Sequence, residues 1–160
     1  MSIDTALRDH LARILDWEDS HVGFETAVAD IPEHLRGMHL SGLHSPWQLV
    51  EHLRRAQRDI LEFCRNADYE ELKWPEDYWP STPAPPSTAA WEESLAQYRK
   101  DRRAMQALAR DPAVDLAAKI PWGSGQTCLR EILLTADHTA YHIGQLVLVR
   151  QLLGIWKPVK

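Results

Sequence analysis

The sequence has little cysteine and an N-terminus unlike a secretion signal. Only Cys64 and Cys128 occur among its 160 residues, and they do not form a Cys-x-x-Cys pair. Two cysteines are too few for the disulfide framework of a small secreted protein. The first residues also lack the basic segment and apolar run that mark a signal peptide. We therefore expect a reduced, cytoplasmic protein.

Long apolar runs and positive charge are also scarce. The longest segment near the C-terminus without Lys, Arg, Asp or Glu spans residues 138–149. A membrane-spanning helix needs roughly 20 predominantly apolar residues, so this segment is too short. The formal net charge is −5, whereas a protein that binds nucleic acid presents a basic face. The sequence therefore predicts neither a membrane protein nor a nucleic-acid-binding protein.

No segment has the pattern of a strand, but four segments have apolar residues at helical spacing. Hydroxyl caps at Ser45, Ser87 and Thr127 begin three of them, and Gly154 ends the last one. The predicted helices have approximate bounds of Ile3–Ala29, Pro46–Asn66, Ser87–Arg110 and Thr127–Gly154. At this length we expect one domain over residues 1–160, with an all-α fold that forms a four-helix bundle.

A proline- and tryptophan-rich loop separates the second predicted helix from the third. The density of proline between residues 69 and 87 excludes a helix or a regular strand there. A loop of this length is usually a lid, a binding loop or disordered, and its aromatic residues favour a packed loop. Trp74, Tyr78 and Trp79 are therefore candidate pocket walls. The alternative is a loop that only covers the core of the bundle.

The fourth predicted helix is apolar on nearly every side, from Leu129 to Leu148. A helix without a polar face lies at the centre of its bundle or packs against a second copy of the chain. We therefore expect this helix to contribute to a homodimer as well as to the core.

Two histidines in that helix, His138 and His142, are four residues apart. Residues at this spacing lie one above the other on a helix, with Cβ atoms roughly 5–6 Å apart. Two imidazoles so placed can bind one metal ion at about 2.0–2.1 Å. His52, on the buried face of the second predicted helix, supplies a third ligand. The alternative is that three polar rings simply fall within the core.

Other polar residues lie near these three in the helical pattern. Gln145 follows His142 by one turn and can hydrogen-bond a metal-bound water or the second nitrogen of a metal ligand. Glu131 precedes His138 by two turns, and His21 is predicted on the buried face of the first helix. Gln145, Glu131 and His21 are therefore candidates for supporting the site. Each also has a structural alternative: a packing amide, a surface charge and an ordinary helix residue.

The composition of the site narrows its chemistry. In zinc peptidases of the His-Glu-x-x-His type a glutamate follows the first histidine as general base, but here that position is Thr139. Peptide hydrolysis of that kind is therefore not expected. Three imidazoles suit Zn, Ni, Cu or Fe, and they leave coordination positions open for a ligand. The expected partner is a small-molecule substrate.

The chain resembles the DinB superfamily of metalloenzyme-like proteins over nearly its whole length. The resemblance rests on the segment His-Ser-Pro-Trp-Gln-Leu-Val-Glu-His at 44–52, the Trp-Pro-rich loop, and the pattern His138-x-x-x-His142-x-Gly-Gln. It implies a four-helix bundle in up-down-down-up order. It also implies a metal site with one histidine from the second helix and two from the fourth, here His52, His138 and His142.

The resemblance also suggests an activity. Some members of that superfamily are thiol S-transferases that use bacillithiol or mycothiol, and others are mycothiol-dependent isomerases. Either activity implies a low-molecular-weight thiol as cosubstrate. Cys64 and Cys128 are poor nucleophile candidates because one ends a predicted helix away from the site and the other begins one. The alternative to an enzyme is a bundle that binds a metal or a small ligand without catalysis.

Overall fold

The computed structural model describes residues 2–40 and 42–157. This part of the chain is helical and contains no strand, only an isolated β-bridge between Lys119 and Thr127. Its α-helices are α1 Ile3–Ile14, α2 Phe24–Val28, α3 Pro46–Arg65, α4 Thr88–Arg110 and α5 Cys128–Leu152, and a 3₁₀ helix spans Glu33–Leu35. The predicted all-α class is therefore confirmed, and the four long helices are consistent with a bundle.

The prediction of one continuous helix from Ile3 to Ala29 was wrong. α1 ends at Ile14, and α2 begins only at Phe24, after the extended cap Gly23. Two side chains hold the intervening segment 15–23 in its non-helical path. Asp16 accepts a hydrogen bond from Arg102 of α4 at 2.6 Å, and Glu18 accepts one from the backbone N–H of Gly23 at 3.1 Å. These side-chain hydrogen bonds take the place of the backbone hydrogen bonds that a continuous helix would make.

The other helix boundaries lie within a residue or two of the predicted ones. Ser45 and Gln48 form a reciprocal capping box at the start of α3, with Pro46 in the first helical position. The hydroxyls of Ser87 and Thr127 cap α4 and α5. Gly154 follows α5 with φ of +71°, a left-handed conformation in which glycine has no Cβ penalty.

The apolar core consists of two clusters, to which all the α-helices contribute. One cluster contains α2, the first halves of α3 and α4 and the second half of α5, and its largest side chains are Phe24, Trp47, Leu53, Trp91, Tyr98 and Leu146. The other contains α1 and the remaining parts of the long helices, with Leu11, Leu61, Met105 and Ile132 fully or almost fully buried. α3 packs against both α4 and α5 and is thereby positioned to share a site with α5.

Residues 66–87 connect α3 to α4 without a helix or strand. Arg55 of α3 donates hydrogen bonds to the backbone carbonyls of Asp77 and Trp79 at 3.1 and 3.2 Å. Asp59, one turn further along α3, accepts hydrogen bonds from the hydroxyls of Tyr69 and Tyr78 at 2.8 and 2.7 Å. The connection is therefore held along one face of α3.

α5 leaves part of its apolar surface uncovered. Its exposed large apolar residues are spaced by eight, seven and four positions: Leu133, Tyr141, Leu148 and Leu152. None of the helices in the described residues has both the length and the apolar character needed to cross a membrane.

Candidate metal centre

The three predicted histidines converge on one point between α3 and α5. Nε2 of His52 lies 3.0 Å from Nε2 of His138 and 3.2 Å from Nε2 of His142. Bonds of 2.0–2.1 Å to a tetrahedral ion place two nitrogens roughly 3.3 Å apart. His52 is only 2% exposed and His142 only 7%. Within the described part of the chain, the one group of three or more potential ligands close enough to share an ion consists of His52, His138 and His142.

The hydrogen bonds behind these rings decide which nitrogen carries the proton. Nδ1 of His52 lies 3.0 Å from the carbonyl oxygen of Tyr78, and Nδ1 of His142 lies 2.7 Å from Oε1 of Gln145. Because a carbonyl oxygen can only accept, both Nδ1 atoms donate. In the neutral rings the lone pairs are then on Nε2, which faces the other histidines. This arrangement is typical of imidazoles oriented to bind a metal.

Burial keeps all three rings neutral at physiological pH. It lowers the pKa of His52 to about 3, despite the opposing effect of the hydrogen bond to Tyr78. Burial, and then the neighbouring His142, lowers the pKa of His138 to about 4. The pKa of His142 is also lowered, mainly by burial. Three neutral imidazoles with converging lone pairs match the donor set that a divalent ion requires.

An aromatic stack covers one of the three rings. Trp79 lies parallel to His52 with ring centroids 3.8 Å apart, and His44 stacks on Trp79 at 3.9 Å. Tyr141 contacts His142 edge to face at 5.0 Å. The Trp79 ring therefore fixes the plane of His52, and the bonds from Arg55 to the loop hold Trp79 in place.

A cavity of about 640 Å³ begins at the histidines, with His52 and His138 in its wall. Trp74 and Tyr78 also line the cavity. Trp79 is not part of the lining and stacks on His52, a candidate metal ligand. Glu131 lines the cavity two turns before His138 and is 3% exposed. The volume is in the range typical of small-molecule sites.

His21 is placed apart from these residues. It is exposed, lies in the segment 15–23, and its Nδ1 is 2.9 Å from the carbonyl oxygen of Val22. It lines a second cavity of about 480 Å³, which also contacts Asp137 and Ile143 of α5. None of the three converging histidines lines that second cavity.

Sequence reasoning missed the residues that support the site from α3 and the preceding loop. Arg55 and Asp59 follow His52 by three and seven positions, so helical spacing alone could have placed them on its face. His44 stacks on Trp79, and no pattern in the sequence indicates that contact.

A comparison with models of known protein families identifies the family of this chain. The family model of the DinB superfamily matches residues 8–146, a span that includes His52, His138, His142 and the Trp-rich loop. The chain belongs to the DinB superfamily. The resemblance inferred from the histidine motifs is thereby confirmed. No functionally curated protein and no solved structure gave a match to this DinB-superfamily chain.

Proposed function

We propose that this DinB-superfamily protein binds one divalent metal ion through His52, His138 and His142 and acts on a small molecule there. The observation that carries the proposal is the convergence of three neutral imidazole Nε2 atoms at the wall of a cavity of about 640 Å³. A structural ion normally has four protein ligands, and the group found among the described residues has three. An open coordination position next to a cavity favours catalysis.

The proposed reaction is the transfer of a low-molecular-weight thiol of the bacillithiol or mycothiol type to a small electrophile. When bound, a divalent ion acts as a Lewis acid that lowers the pKa of a thiol. Tyr78 and Gln145 hold the His52 and His142 rings in orientation. Burial of these rings excludes water from their donor atoms, and the cavity binds the substrate.

The structure offers no protein thiol at the cavity, which supports an external thiol. Cys64 and Cys128 are both buried and free, and neither lines the cavity of about 640 Å³. The hydrogen bond with Cys128, together with burial, raises the pKa of the Cys64 thiol. A raised pKa makes the Cys64 thiol a weak nucleophile at neutral pH. The contact with Cys64 lowers the pKa of Cys128 to about 7, but Cys128 is buried outside the cavity lining. Two free thiols also suit a reducing compartment, and we propose the cytoplasm.

We also propose that residues 1–160 form a single domain whose long helices α1, α3, α4 and α5 run up, down, down and up. Cross-helix hydrogen bonds support this order. The numbers of bonded residues rise together between α3 and α4, as expected for parallel helices: Glu51 with Ser94, Gln57 with Tyr98, and Arg58 with Asp101. They run oppositely between α1 and α4 and between α3 and α5: Arg8 with Ala109, Ala12 with Gln106, His52 with His138, and Cys64 with Cys128.

The exposed face of α5 supports a further proposal, that two copies of the chain form a homodimer. Leu133, Tyr141 and Leu148 are each at least 45% exposed and lie on one face of the helix. A two-fold contact would place the same patch of both copies together. Light scattering at tens of micromolar tests this, because a mass near 18.4 kDa would identify a monomer instead.

The experiment that tests the activity is a screen of metal-reconstituted protein with thiols and small electrophiles. Consumption of free thiol with formation of a thioether or thioester supports the transferase. A rearranged product with the thiol regenerated identifies the isomerase. A protein that holds one ion per chain but turns over no pair of compounds is the non-catalytic bundle. His138→Ala, which removes a ligand, is the negative control.

A further inference from the structure

The cavity next to the three histidines has an unusual lining. Its charged side chains other than histidine are three carboxylates and a single guanidinium: Asp59, Glu71, Glu131 and Arg130. Its aromatic side chains are Phe63, Tyr69, Trp74, Tyr78 and Trp122. Acidic groups among aromatic faces are the environment that proteins use to bind organic cations, because the face of each ring is electronegative.

Glu131 is the most informative of these side chains. It is 3% exposed, and Oε1 accepts a hydrogen bond from Arg130 at 2.7 Å. Oε2 accepts no hydrogen bond from any of residues 2–40 and 42–157. The Arg130 side chain itself is 58% exposed, so solvent screens its charge. The buried charge of Glu131 is therefore balanced by one solvent-exposed arginine, and a cationic ligand in the cavity would stabilise it further.

A second carboxylate of the cavity lining, Asp59, makes no salt bridge with the described basic side chains. Its two oxygens accept only the hydroxyls of Tyr69 and Tyr78. Arg58, the nearest arginine in sequence, pairs with Glu62 and Asp101 instead. The negative charge of Asp59 therefore adds to that of Glu131 at the cavity.

Two tryptophans present open ring faces to the same space. Trp74 is 68% exposed and packs on Tyr78 with ring centroids 5.4 Å apart. Trp122 is 37% exposed, and its Nε1 donates a hydrogen bond to the carbonyl of Phe63 at 2.7 Å, which fixes the ring. Exposed but fixed aromatic rings at a cavity provide a binding surface without much loss of side-chain entropy.

We propose that this cavity binds an organic cation, so that the small molecule reaching the metal centre carries an ammonium group between Glu131 and the tryptophan faces. The proposal rests on the proposed function, because His52 and His138 form one wall of the same cavity. It specifies a positively charged ligand, whereas the three histidines alone do not indicate the charge of the ligand. Asp59 and Glu131 each lie two helical turns from a histidine of the metal site, so the ammonium group is placed away from the charge of a bound ion.

Choline and its neutral isostere 3,3-dimethyl-1-butanol are matched probes, since they differ only in nitrogen against carbon. Isothermal titration calorimetry on metal-reconstituted protein is expected to show choline binding at least about tenfold more tightly, from the combined cation–π and charge interactions. Glu131→Gln keeps the shape of the side chain and is expected to reduce the preference severalfold. Glu76→Gln, which changes an exposed carboxylate of the 66–87 connection outside the cavity lining, is expected to retain it.

A second variant guards against a folding defect in Glu131→Gln. Trp74→Leu removes an exposed ring and is expected to weaken choline severalfold while leaving the neutral alcohol within about twofold. Metal content is measured in every variant. Equal affinity for the two probes, no choline binding at millimolar concentration, or a preference that is undiminished in both variants would overturn the proposal.

A cobalt-substituted sample separates this proposal from the thiol chemistry. Cysteamine and 2-mercaptoethanol are added in turn, and thiolate ligation is followed by absorption. If neither thiol changes the cobalt spectrum while the choline preference persists, the thiol function fails and the cation site stands. If both thiols bind with equal affinity and choline shows no preference over its isostere, the cation site fails and the thiol function stands.

Discussion

Two cavities contact α5, and each contains histidine, carboxylate and aromatic side chains. The one of about 640 Å³ has His52 and His138 in its wall, and the one of about 480 Å³ has His21. Only at the first cavity do buried imidazoles converge: Nε2 of His52 lies 3.0 Å from Nε2 of His138 and 3.2 Å from Nε2 of His142. His21 remains exposed and its Nδ1 contacts the adjacent backbone carbonyl. Residue types alone therefore do not make a candidate metal centre.

The two sites differ in the hydrogen-bond partners and the burial of their histidine rings. His52 and His142 each donate Nδ1–H to a carbonyl group from a different part of the fold or the next helical turn. These bonds direct the other nitrogen inward, and burial keeps it unprotonated. His21 is exposed, and no other histidine lines its cavity. The predictions below test this contrast, beginning with the largest expected effect.

Removal of one ligand is expected to abolish stoichiometric metal binding. His138→Ala leaves two imidazoles, which is too few to retain a divalent ion through purification, so metal content is expected to fall below about a tenth per chain. His21→Ala is the matched control in the second cavity and is expected to bind as much metal as the wild type. Metal analysis of both variants checks this. Equal metal content in the two would place the ion elsewhere.

Loss of the acceptor behind His142 is expected to have the next largest effect. Gln145→Ala removes the bond of 2.7 Å to Nδ1, and loss of such a supporting group typically lowers metal affinity by about 10- to 100-fold. Gln145→Glu keeps an acceptor and is expected to retain affinity. Gln151→Ala, an exposed residue on the same helix, is the control. Competition with a metal chelator measures the three affinities, and equal values would show that Gln145 is only a packing amide.

Acid is expected to destabilise the metal-free protein through the same histidines. In the unfolded chain a histidine has a pKa near 6.5, whereas burial lowers the pKa to about 3 at His52 and about 4 at His138. As pH falls below about 6.5, the unfolded state takes up protons that the folded state cannot. Stability is therefore complete above that pH and falls on the way to pH 4, by about 1.4 kcal/mol per pH unit for each proton.

Urea unfolding of the metal-free protein between pH 7.5 and 5 tests this dependence. His138→Asn removes one of the buried titrating groups and is expected to make the slope of stability against pH shallower. His21→Asn, which replaces an exposed histidine outside the group of three, is the matched control. Identical slopes in wild type and His138→Asn would mean that His138 is accessible to protons when folded.

The parts of the molecule that depend on local pattern were predictable from the sequence. Ser45 and Pro46 indicated the start of α3, and the four-residue spacing of His138 and His142 indicated a shared helix face. The break between α1 and α2 was not predictable, because it depends on the long-range bond between Asp16 and Arg102. The expectation that His21 supports the site followed from the continuous helix, and the structure places it elsewhere.

The loop contacts were also beyond sequence reasoning. The aromatic residues of the Trp-Pro-rich segment suggested a pocket wall, but which ring lines the cavity and which stacks on a histidine depends on tertiary contacts. Arg55 and Asp59 of α3 set the path of the loop through bonds to Trp79 and to Tyr69 and Tyr78. No spacing rule connects a helix residue to a backbone carbonyl more than twenty positions later.

The smallest expected effect concerns the ring that covers His52. Trp79 stacks on His52 at 3.8 Å with an interplanar angle of 2°, and an aromatic pair contributes about 0.5–1.5 kcal/mol beyond its buried area. Trp79→Leu is expected to lower metal affinity by about two- to tenfold because the His52 ring loses a fixed plane. Trp79→Phe keeps a stacking face and is expected to stay within about twofold of wild type.

Trp17 gives the matched comparison in the second cavity, because it is partly exposed there and contacts none of the three histidines. Trp17→Leu is therefore expected to leave metal affinity unchanged. Chelator competition and thermal melting are measured together for all three variants. If Trp79→Leu lowers the melting temperature while the folded fraction binds metal as tightly as the wild type, the ring only packs the core. A loss of affinity shared by Trp17→Leu would mean that the two cavities are coupled through α5.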